Sequence, residues 1–422
     1  MRMGKNKRGL TLVLVTTIGV IVGILAMAMI QLGYHARMMA ARSVQGIAAR
    51  CAADAGLAEA IYRMQCKLIR DTTWDGSTLS RTDTAALPAY SQYTWNILGS
   101  DPYGYEIKST GKCALSTKTV HAAMEVGSYY DGVGVERDVT IYNGGTLGAS
   151  GPYAYDGMDI RSNTDDPKYP MSFKLGVHVP GDVLCGPDVN PDPKYLDRVI
   201  VTKSQTLIDG EVGPSDGKII FPPVDEPPDL SLVNNPKLDI TSTTPEASRT
   251  LTTGRYEYDS ILLRNNAVLV IKGDVVLYAR NGINIDNGGQ VQIYSDSTTT
   301  ASLKLYLGGN LVSMNSSFNN TTTDATKLEI YGLPKITAVA GVTLGCPGCV
   351  DIRLHNSGDL YAAVYAPQAA VLVDNSGNFT GSITAGSFTL KNSGNFTFDT
   401  RLKRVSIDDP AAMFVIGRWW ED

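Results

Sequence analysis

The feature that most constrains this chain is an apolar run from Leu10 to Ile30 that contains no charged residue. Basic residues precede it at Arg2, Lys5, Lys7 and Arg8. A helix rises about 1.5 Å per residue, so this run spans the roughly 30 Å hydrocarbon core of a membrane. The basic flank predicts that the start of the chain stays in the cytoplasm. We therefore expect a single membrane helix with the body outside the cytoplasm, because a buried helix of a soluble protein is rarely apolar on every face.

The helix is predicted to continue beyond this run. No proline occurs before Pro88, and an interior proline would break a helix. Further apolar residues fall at helical spacing and form one stripe: Leu57, Ile61, Met64 and Leu68. Heptads are not sustained, so we expect this stripe to pack on the body of the same chain in preference to a coiled coil.

Two processing routes are open at the amino terminus. The sequence Leu25-Ala26-Met27-Ala28 ends in an A-x-A pattern, which is typical of a secretory signal peptide cut after Ala28. That cut would release a soluble protein. The basic leader ends at Gly9, however, and a cut between Gly9 and Leu10 would leave the apolar helix attached as a membrane anchor.

Two segments of the chain resemble the start of type IV pilin-like proteins, particularly PilX-type minor pilins. They are Arg8-Gly9-Leu10-Thr11-Leu12, followed by the apolar helix, and the sequence AARCAADAGLAEA from Ala48 to Ala60. The resemblance covers residues 8–70. It implies that a prepilin peptidase cuts between Gly9 and Leu10 and methylates the new amino terminus, and that the subunit then assembles with other pilins.

Two positions depart from the pattern of that family. Its usual first mature residue is Phe, where this chain has Leu10, and major pilins carry a Glu four residues later, where this chain has Leu14. In the family, that acid neutralises the amino terminus of a neighbouring subunit inside the filament, a buried pair whose loss weakens packing. The resemblance therefore implies a low-copy or tip position more than a place in the shaft.

The segment after the helix is predicted to form a small antiparallel sheet. Residues 71–87 are interpreted as a polar loop. Three β-prone runs follow, separated by glycine-bearing turns, at Tyr93–Ile97, Tyr105–Ser109 and Thr119–Val126. One face of this sheet would receive the apolar stripe of the helix, which is also the layout that the pilin resemblance implies.

From about Val139 onward, short β-prone runs succeed one another without an intervening helical pattern. Asn-Ser-Gly recurs at Asn356, Asn375 and Asn392, with spacings of 19 and 17 residues. Asparagine tolerates left-handed backbone, so it is typical of repeated tight corners. Short strands with recurrent corners predict a solenoid, and we expect a parallel β-helix, taken as right-handed. A β-sandwich or a propeller is the alternative fold.

Three segments of the body carry further expectations. The stretch from Gly358 to Ala369 resembles the carboxyl region of bacterial pilin-like and polymer-surface proteins, in which a solenoid serves as a display module. Residues 222–229 contain four prolines and are predicted to form an extended connection across the surface of the body. Residues Phe414–Trp420 are predicted to cover the last coil.

The cysteines and acids are the residues most able to carry chemistry. Cys346 and Cys349 form a lone CxxC between β-prone runs, without the second CxxC or histidine pair that a zinc site requires, so we expect a structural disulfide. Partners for four cysteines stay open: Cys51, Cys66, Cys113 and Cys185. Aspartates are scattered through the solenoid and are interpreted as corner residues. We expect no catalytic, cofactor-binding or metal-binding residues and no enzyme activity.

Charge argues against a nucleic-acid partner. Residues 1–70 hold ten Lys/Arg and two acidic residues, whereas the remaining chain holds 27 Lys/Arg and 40 acidic residues. An acidic body does not suit binding to phosphates. The expected partners are other pilins, prepilin peptidase, the bacterial inner membrane and a surface or polysaccharide ligand.

The sequence thus predicts a mainly β protein with one long amino-terminal helix. The expected domains are a basic leader (1–9), a membrane and amphipathic helix (10–70), a small antiparallel sheet (71–138), a parallel β-helix (139–405) and a carboxyl-terminal cap (406–422). The predicted function is a minor pilin-like subunit of a type IV pilus or related secretion filament that displays the β-helix for adhesion or assembly. The alternatives are a membrane-anchored β-helix enzyme acting on polysaccharide and a secreted surface protein cut after Ala28.

Overall fold

The computed structural model describes the chain from Lys7 to Asp422 with several gaps. These gaps are residues 71–79, 88–90, 102–103, 143–145, 153–156, 228–236, 242–247, 296–299, 314–316, 335–350, 356–357, 375–376, 392–394 and 404–408. The described residues form two compact units. One unit comprises the long helix as far as Met64, the strands before Glu125 and the end of the chain from Ile416. The other comprises the strands from Val126 to Val415.

The first unit pairs one helix with one antiparallel sheet. Helix α1 runs from Lys7 to Arg70 without interruption. The sheet has the order β1-β2-β3-β4-β29, with bounds Ser80–Leu87, Ser91–Asp101, Gly104–Cys113, Ser116–Ser128 and Ala412–Glu421. The expectation of a long helix with a small antiparallel sheet is confirmed. Strand β1 lies within residues 71–87, where the sequence suggested a polar loop. It was not predicted because its residues are too polar to indicate a strand.

The last strand corrects the expected role of the carboxyl terminus. Residues 406–422, and Phe414–Trp420 in particular, were expected to cover the final coil of the solenoid. Instead β29 lies along the edge of β4, where the Tyr129 amide donates to the Ala411 carbonyl at 2.8 Å and the Asp422 amide to the Thr119 carbonyl at 3.2 Å. An edge strand presents unpaired backbone groups, and β29 satisfies those of β4.

The second unit is built from short strands in parallel pairing. Its strands, in chain order, are β5 Val133–Val135, β6 Val139–Ile141, β7 Leu147–Ser150, β8 Ile160–Ser162, β9 Met171–Phe173, β10 His178–Val179, β11 Val183–Cys185, β12 Ile200–Thr202, β13 Leu207–Ile208 and β14 Val212–Pro214. They continue with β15 Lys237–Thr241, β16 Ser248–Tyr258, β17 Ser260–Arg264, β18 Val268–Ala279, β19 Ile283–Ile285, β20 Gln290–Ile293, β21 Ser302–Leu307, β22 Leu311–Ser313, β23 Ser317–Asn320, β24 Leu328–Gly332, β25 Asp351–Leu354, β26 Leu360–Asp374, β27 Phe379–Lys391 and β28 Phe396–Asp399. Helix α2, Pro193–Val199, and two short 3₁₀ helices, Ala325–Lys327 and Thr400–Lys403, interrupt them.

The pairing of these strands confirms a parallel β-helix. Each coil contributes strands to three stacks. For example, β17 pairs with β19, β18 pairs with both β20 and β21, and β19 pairs with β22. Inward side chains of successive coils lie over one another, as Leu277 over Leu305 and Leu305 over Ile330, and these three are buried. Asn265, Asn266 and Asn287 adopt left-handed backbone at corners, as the residue type predicts. The repeated asparagines Asn356, Asn375 and Asn392 lie outside the described residues. The core therefore runs along the inside of the solenoid.

The coils are not stacked in chain order. The coil made by β26, β27 and β28 is followed in the stack by β5, β6 and β7, where Ile383 pairs with Val133 and Phe396 with Leu147. The solenoid therefore begins near β15, proceeds to β28, and continues from β5 to β14. The chain must return along the solenoid between β14 and β15.

The returning segment lies against one outer face of the stack. On that face a column of tyrosines pairs in register: Tyr278, Tyr306, Tyr331 and Tyr365. The Tyr365 hydroxyl donates to the Pro222 carbonyl at 2.9 Å, and the Tyr278 hydroxyl donates to a Glu226 carboxylate oxygen at 2.8 Å. The extended connection expected at residues 222–229 is confirmed as far as Pro227, and we call residues 216–227 the return segment.

Candidate functional site: the long helix and its sheet

The first half of α1 presents its side chains to solvent. Every side chain from Leu14 to Val44 is exposed. By length and composition alone, α1 contains a stretch apolar enough to cross a membrane, and the most apolar 18-residue window of it is entirely unburied. Leu14 is among these exposed residues. An exposed apolar surface of this size is costly in water.

The second half of α1 packs on the antiparallel sheet through small side chains. Its buried residues recur every three or four positions and are mostly alanine: Ala49, Ala52, Ala53, Leu57, Ala60 and Met64. On the sheet side, a methyl group at Gly111 would collide with the Ala49 carbonyl and the Ala53 amide. The backbone of β3 therefore approaches the backbone of α1 closely, which only glycine and alanine permit.

Further along the helix, larger side chains of the sheet pack against α1. A Cβ added at Gly56 would come within 2.8 Å of the Tyr93 ring. One turn later, Glu59 accepts hydrogen bonds from the Tyr93 hydroxyl at 2.8 Å and from the Trp95 indole N–H at 3.3 Å, and it pairs with Arg63 at 2.7 Å. These bonds supply a partner for the buried Trp95 indole, whose N–H would otherwise be left without one.

The carboxyl terminus is tied to α1 and β4 by charge. Glu421 pairs with Arg50 of the helix and, at 2.7 Å, with Lys118 of β4. The Arg50 guanidinium also lies 4.5 Å from the Trp419 ring centroid. These contacts hold the end of β29 against both the helix and the sheet.

His121 forms a second link to the end of the chain. Its Nδ1 lies 2.9 Å from a Glu106 oxygen and its Nε2 lies 2.8 Å from an Asp422 oxygen. The imidazole also stacks on Trp420, with ring centroids 5.1 Å apart. The last three residues of the chain thus contact charged or aromatic partners in the sheet unit.

The residues that the sequence singled out are distributed as follows. Gly9 and Leu10 lie in the first turns of α1, whose side chains are described only from Leu14 onward. Cys346 and Cys349 lie outside the described residues. Of the predicted stripe, Leu57 and Met64 are buried and Ile61 is half-buried, while the Leu68 side chain is outside the described set.

Sequence reasoning missed the alanines that make most of the helix–sheet contact, and it missed β29. The alanines stand at spacings of three and four inside the segment quoted for the pilin resemblance, so their periodicity was a usable signal. The Val415-to-Trp420 run could equally indicate an added strand or a cap.

Three aspartates of the solenoid form hydrogen bonds between neighbouring coils. Asp259 accepts from the Asn281 side chain at 2.6 Å, Asp274 from Ser302 at 2.6 Å, and Asp359 from the Asn378 amide at 2.9 Å. Among the described residues, no group of three or more His, Cys, Asp and Glu is arranged to hold a metal ion.

Comparison with known proteins relates only part of the chain to a family. Residues 230–405 match the model of a family described as a domain of unknown function (DUF7305). This match covers the coils from β15 to the 3₁₀ helix after β28. No curated protein matches the chain significantly in sequence. Among solved structures, the competence-associated pilin ComZ from Thermus thermophilus aligns at 13% identity and a TM-score of 0.22, over 90% of this chain and 98% of that chain.

Proposed function

We propose that this chain is a minor pilin-like subunit of a type IV pilus or related secretion filament. In this proposal the first half of α1 sits in the bacterial inner membrane before assembly and among other pilins afterwards. The β-helix is presented outside the cytoplasm for adhesion or assembly. The single observation that carries the proposal is the division of α1 into an exposed apolar half and a half packed on an antiparallel sheet.

The resemblance of residues 8–70 to PilX-type minor pilins supports this assignment. It also suggests the order of events, in which prepilin peptidase cuts between Gly9 and Leu10 and the helix stays attached. Because Leu14 replaces the acid that pairs with a neighbouring amino terminus, the subunit enters filaments at low copy or at a tip. Counting labelled subunits against the major pilin checks this, and near-equal numbers along the shaft would contradict it.

The test of the proposal is the mature amino terminus of the full chain, expressed together with a prepilin peptidase and read by mass spectrometry. We expect Leu10 as the first residue. The variant Gly9→Ala should remain unprocessed, since the peptidase requires glycine before the cut, whereas the matched variant Gly4→Ala in the same leader should be processed normally. A first residue at Met29 would overturn the proposal in favour of a secreted protein.

Display, and not catalysis, is the proposed role of the solenoid. The hydrogen bonds of Asp259, Asp274 and Asp359 to neighbouring coils support this, because they give these carboxylates a structural role in linking the coils. Incubation of the purified protein with a panel of polysaccharides should leave them uncut. Turnover that disappears when one pair of aspartates is replaced, with the fold retained, would support an enzyme instead.

A further inference from the structure

An amine and two carboxyl groups meet on the outer face of the tyrosine-bearing stack. Lys304 of β21 and Glu329 of β24 are partners in register on adjacent strands. Their neighbours Leu305 and Ile330 point into the core, so both charged side chains point outward. The Lys304 Nζ lies 3.1 Å from a Glu329 carboxylate oxygen. Asp409, which precedes β29, hydrogen-bonds the same Glu329 carboxyl group.

Aromatic rings border this group, which we call the Lys304 cluster: Lys304, Glu329 and Asp409. The Glu329 side chain is 9% exposed and Asp409 is 3% exposed, while the Lys304 side chain is 34% exposed. Tyr306 stacks on Tyr331 with centroids 4.8 Å apart, and the Tyr331 hydroxyl donates to Asp409 at 3.0 Å. The two acids are therefore buried and held in fixed positions.

The electrostatics of the cluster place a protonated carboxyl beside an ammonium. Burial raises the pKa of Glu329 to about 8, the charge of Asp409 adds to this rise, and the charge of Lys304 opposes it. Burial acts to lower the pKa of Lys304, but the nearby carboxylates outweigh it and the net direction is upward. Near neutral pH the protonated Glu329 carboxyl is thus in contact with the Lys304 ammonium, and the Asp409 carboxyl group is hydrogen-bonded to Glu329.

We propose that Lys304 and Glu329 condense into an intramolecular amide that links β21 to β24, with Asp409 carrying the protons. Asp409 takes a proton from the ammonium through the hydrogen-bonded carboxyl pair, which leaves a neutral amine. The Nζ lone pair then forms the N–C bond to Cδ of the protonated Glu329. The C–OH bond breaks and the hydroxyl leaves as water with the proton that Asp409 carries, while the surplus proton of the nitrogen passes to Asp409. The Lys304 ammonium, the protonated Glu329 carboxyl and the Asp409 carboxylate become one amide, one water and a protonated Asp409 carboxyl, so atoms and charge balance without a co-reactant.

Two physical effects favour this reaction in the Lys304 cluster. Buried opposite charges bear a desolvation cost that their attraction does not always repay, and the condensation removes the charges of Lys304 and Asp409. Fixed contact between the reacting atoms replaces a bimolecular encounter, which is worth many orders of magnitude in effective concentration. The bond would join successive coils of the solenoid covalently.

Other lysine–carboxylate pairs among the described residues lack this setting. Lys118 and Glu421 are as close, at 2.7 Å, but their side chains are 40% and 27% exposed. Lys237 and Asp239 are 3.6 Å apart and about half exposed. In both of these pairs the carboxylate is also open to water, whereas Glu329 is buried, so their charges are solvated and gain less from condensation. The Lys118–Glu421 pair therefore serves as an internal control.

The test is the mass of the denatured full chain and of its proteolytic peptides. We expect the peptides that contain Lys304 and Glu329 to be recovered joined, with a mass lower than their sum by one water molecule. The peptides that contain Lys118 and Glu421 should be recovered separately. Separate, unmodified Lys304 and Glu329 peptides from the wild-type chain would overturn the proposal.

Two variants assign the roles within the cluster. Lys304→Arg keeps a cation beside Glu329 but cannot form the amide, so its mass should equal that of its sequence. Asp409→Asn keeps both reacting groups but cannot carry protons, so the joined peptide should be lost or should form much more slowly after purification. A joined peptide formed as fast and as completely in Asp409→Asn as in wild type would overturn the role of Asp409.

Discussion

At the scale of single residues, burial separates reactive from inert thiols. Cys185 is fully buried in β11, and its thiol donates a weak hydrogen bond to the Gly213 carbonyl at 3.4 Å. Burial raises the pKa of this thiol to about 11. Cys51 is exposed on α1. Since the thiolate is the nucleophile, the two cysteines should differ strongly in reactivity.

We predict that an alkylating reagent at pH 8 modifies Cys51 and leaves Cys185 unmodified in the folded chain. At that pH only about one in a thousand Cys185 thiols would be ionised, and the reagent could not reach it. Addition of denaturant should expose Cys185 to labelling at the rate of Cys51. Peptide mapping measures both sites in one sample, and labelling of Cys185 without denaturant would contradict its burial.

At the scale of elements, the contact between α1 and its sheet depends more on glycine and alanine, which let the two backbones approach, than on large side chains. Gly56 and Gly46 both lie within α1, but a Cβ at Gly56 would meet the Tyr93 ring, whereas one at Gly46 has only the Ser116 hydroxyl at 3.8 Å. The two glycines form a matched pair, because alanine improves helix propensity equally at both positions.

We predict opposite effects of the same substitution at these two sites. Gly46→Ala should stabilise the helix unit by about 0.5–1 kcal/mol, since glycine loses more backbone entropy on folding. Gly56→Ala should destabilise it by about 1–3 kcal/mol through overpacking against the sheet. Denaturant unfolding of the full chain in detergent, followed by fluorescence of the buried Trp95, measures both. Equal effects would show that the helix does not approach the sheet this closely.

The element-scale features were predictable where the local pattern was strong. The length of α1 follows from the absence of proline before Pro88, and the left-handed corners at Asn265, Asn266 and Asn287 follow from asparagine chemistry. Strand β29 was not predictable, because its pairing with β4 joins residues that are remote in sequence. The Lys304 cluster was not predictable either, since register between coils decides which lysine meets which acid.

At the scale of the whole chain, the return segment packs on and covers one outer face of the β-helix. Phe221 is buried beside Tyr129, with ring centroids 5.9 Å apart, and lies against Gly134 of β5. Its neighbour Ile220 is 78% exposed. The order of coils was hidden from sequence analysis, because a repeat pattern suggests that neighbours in the chain are neighbours in the stack.

We predict that Phe221→Ala lowers the stability of the β-helix by about 2–4 kcal/mol, because it removes a buried aromatic ring from the covered face. The adjacent change Ile220→Ala should alter stability by no more than about 0.5 kcal/mol, as expected for an exposed position. Thermal unfolding of the two variants, followed by circular dichroism of the strands, compares them directly. Similar losses in both would mean that the return segment does not hold the face.

The order of coils has a consequence for how the chain is made. Ser382 and Gly132, which are hydrogen-bonded at the junction of the two groups of coils, are 250 residues apart. The strands from β5 to β7 therefore leave the ribosome long before the coil on which they rest exists. Non-local pairing of this kind slows folding and leaves strand edges open to aggregation in the meantime. The body therefore cannot fold in the order in which it is synthesised, and its completion must await synthesis of the coil formed by β26, β27 and β28.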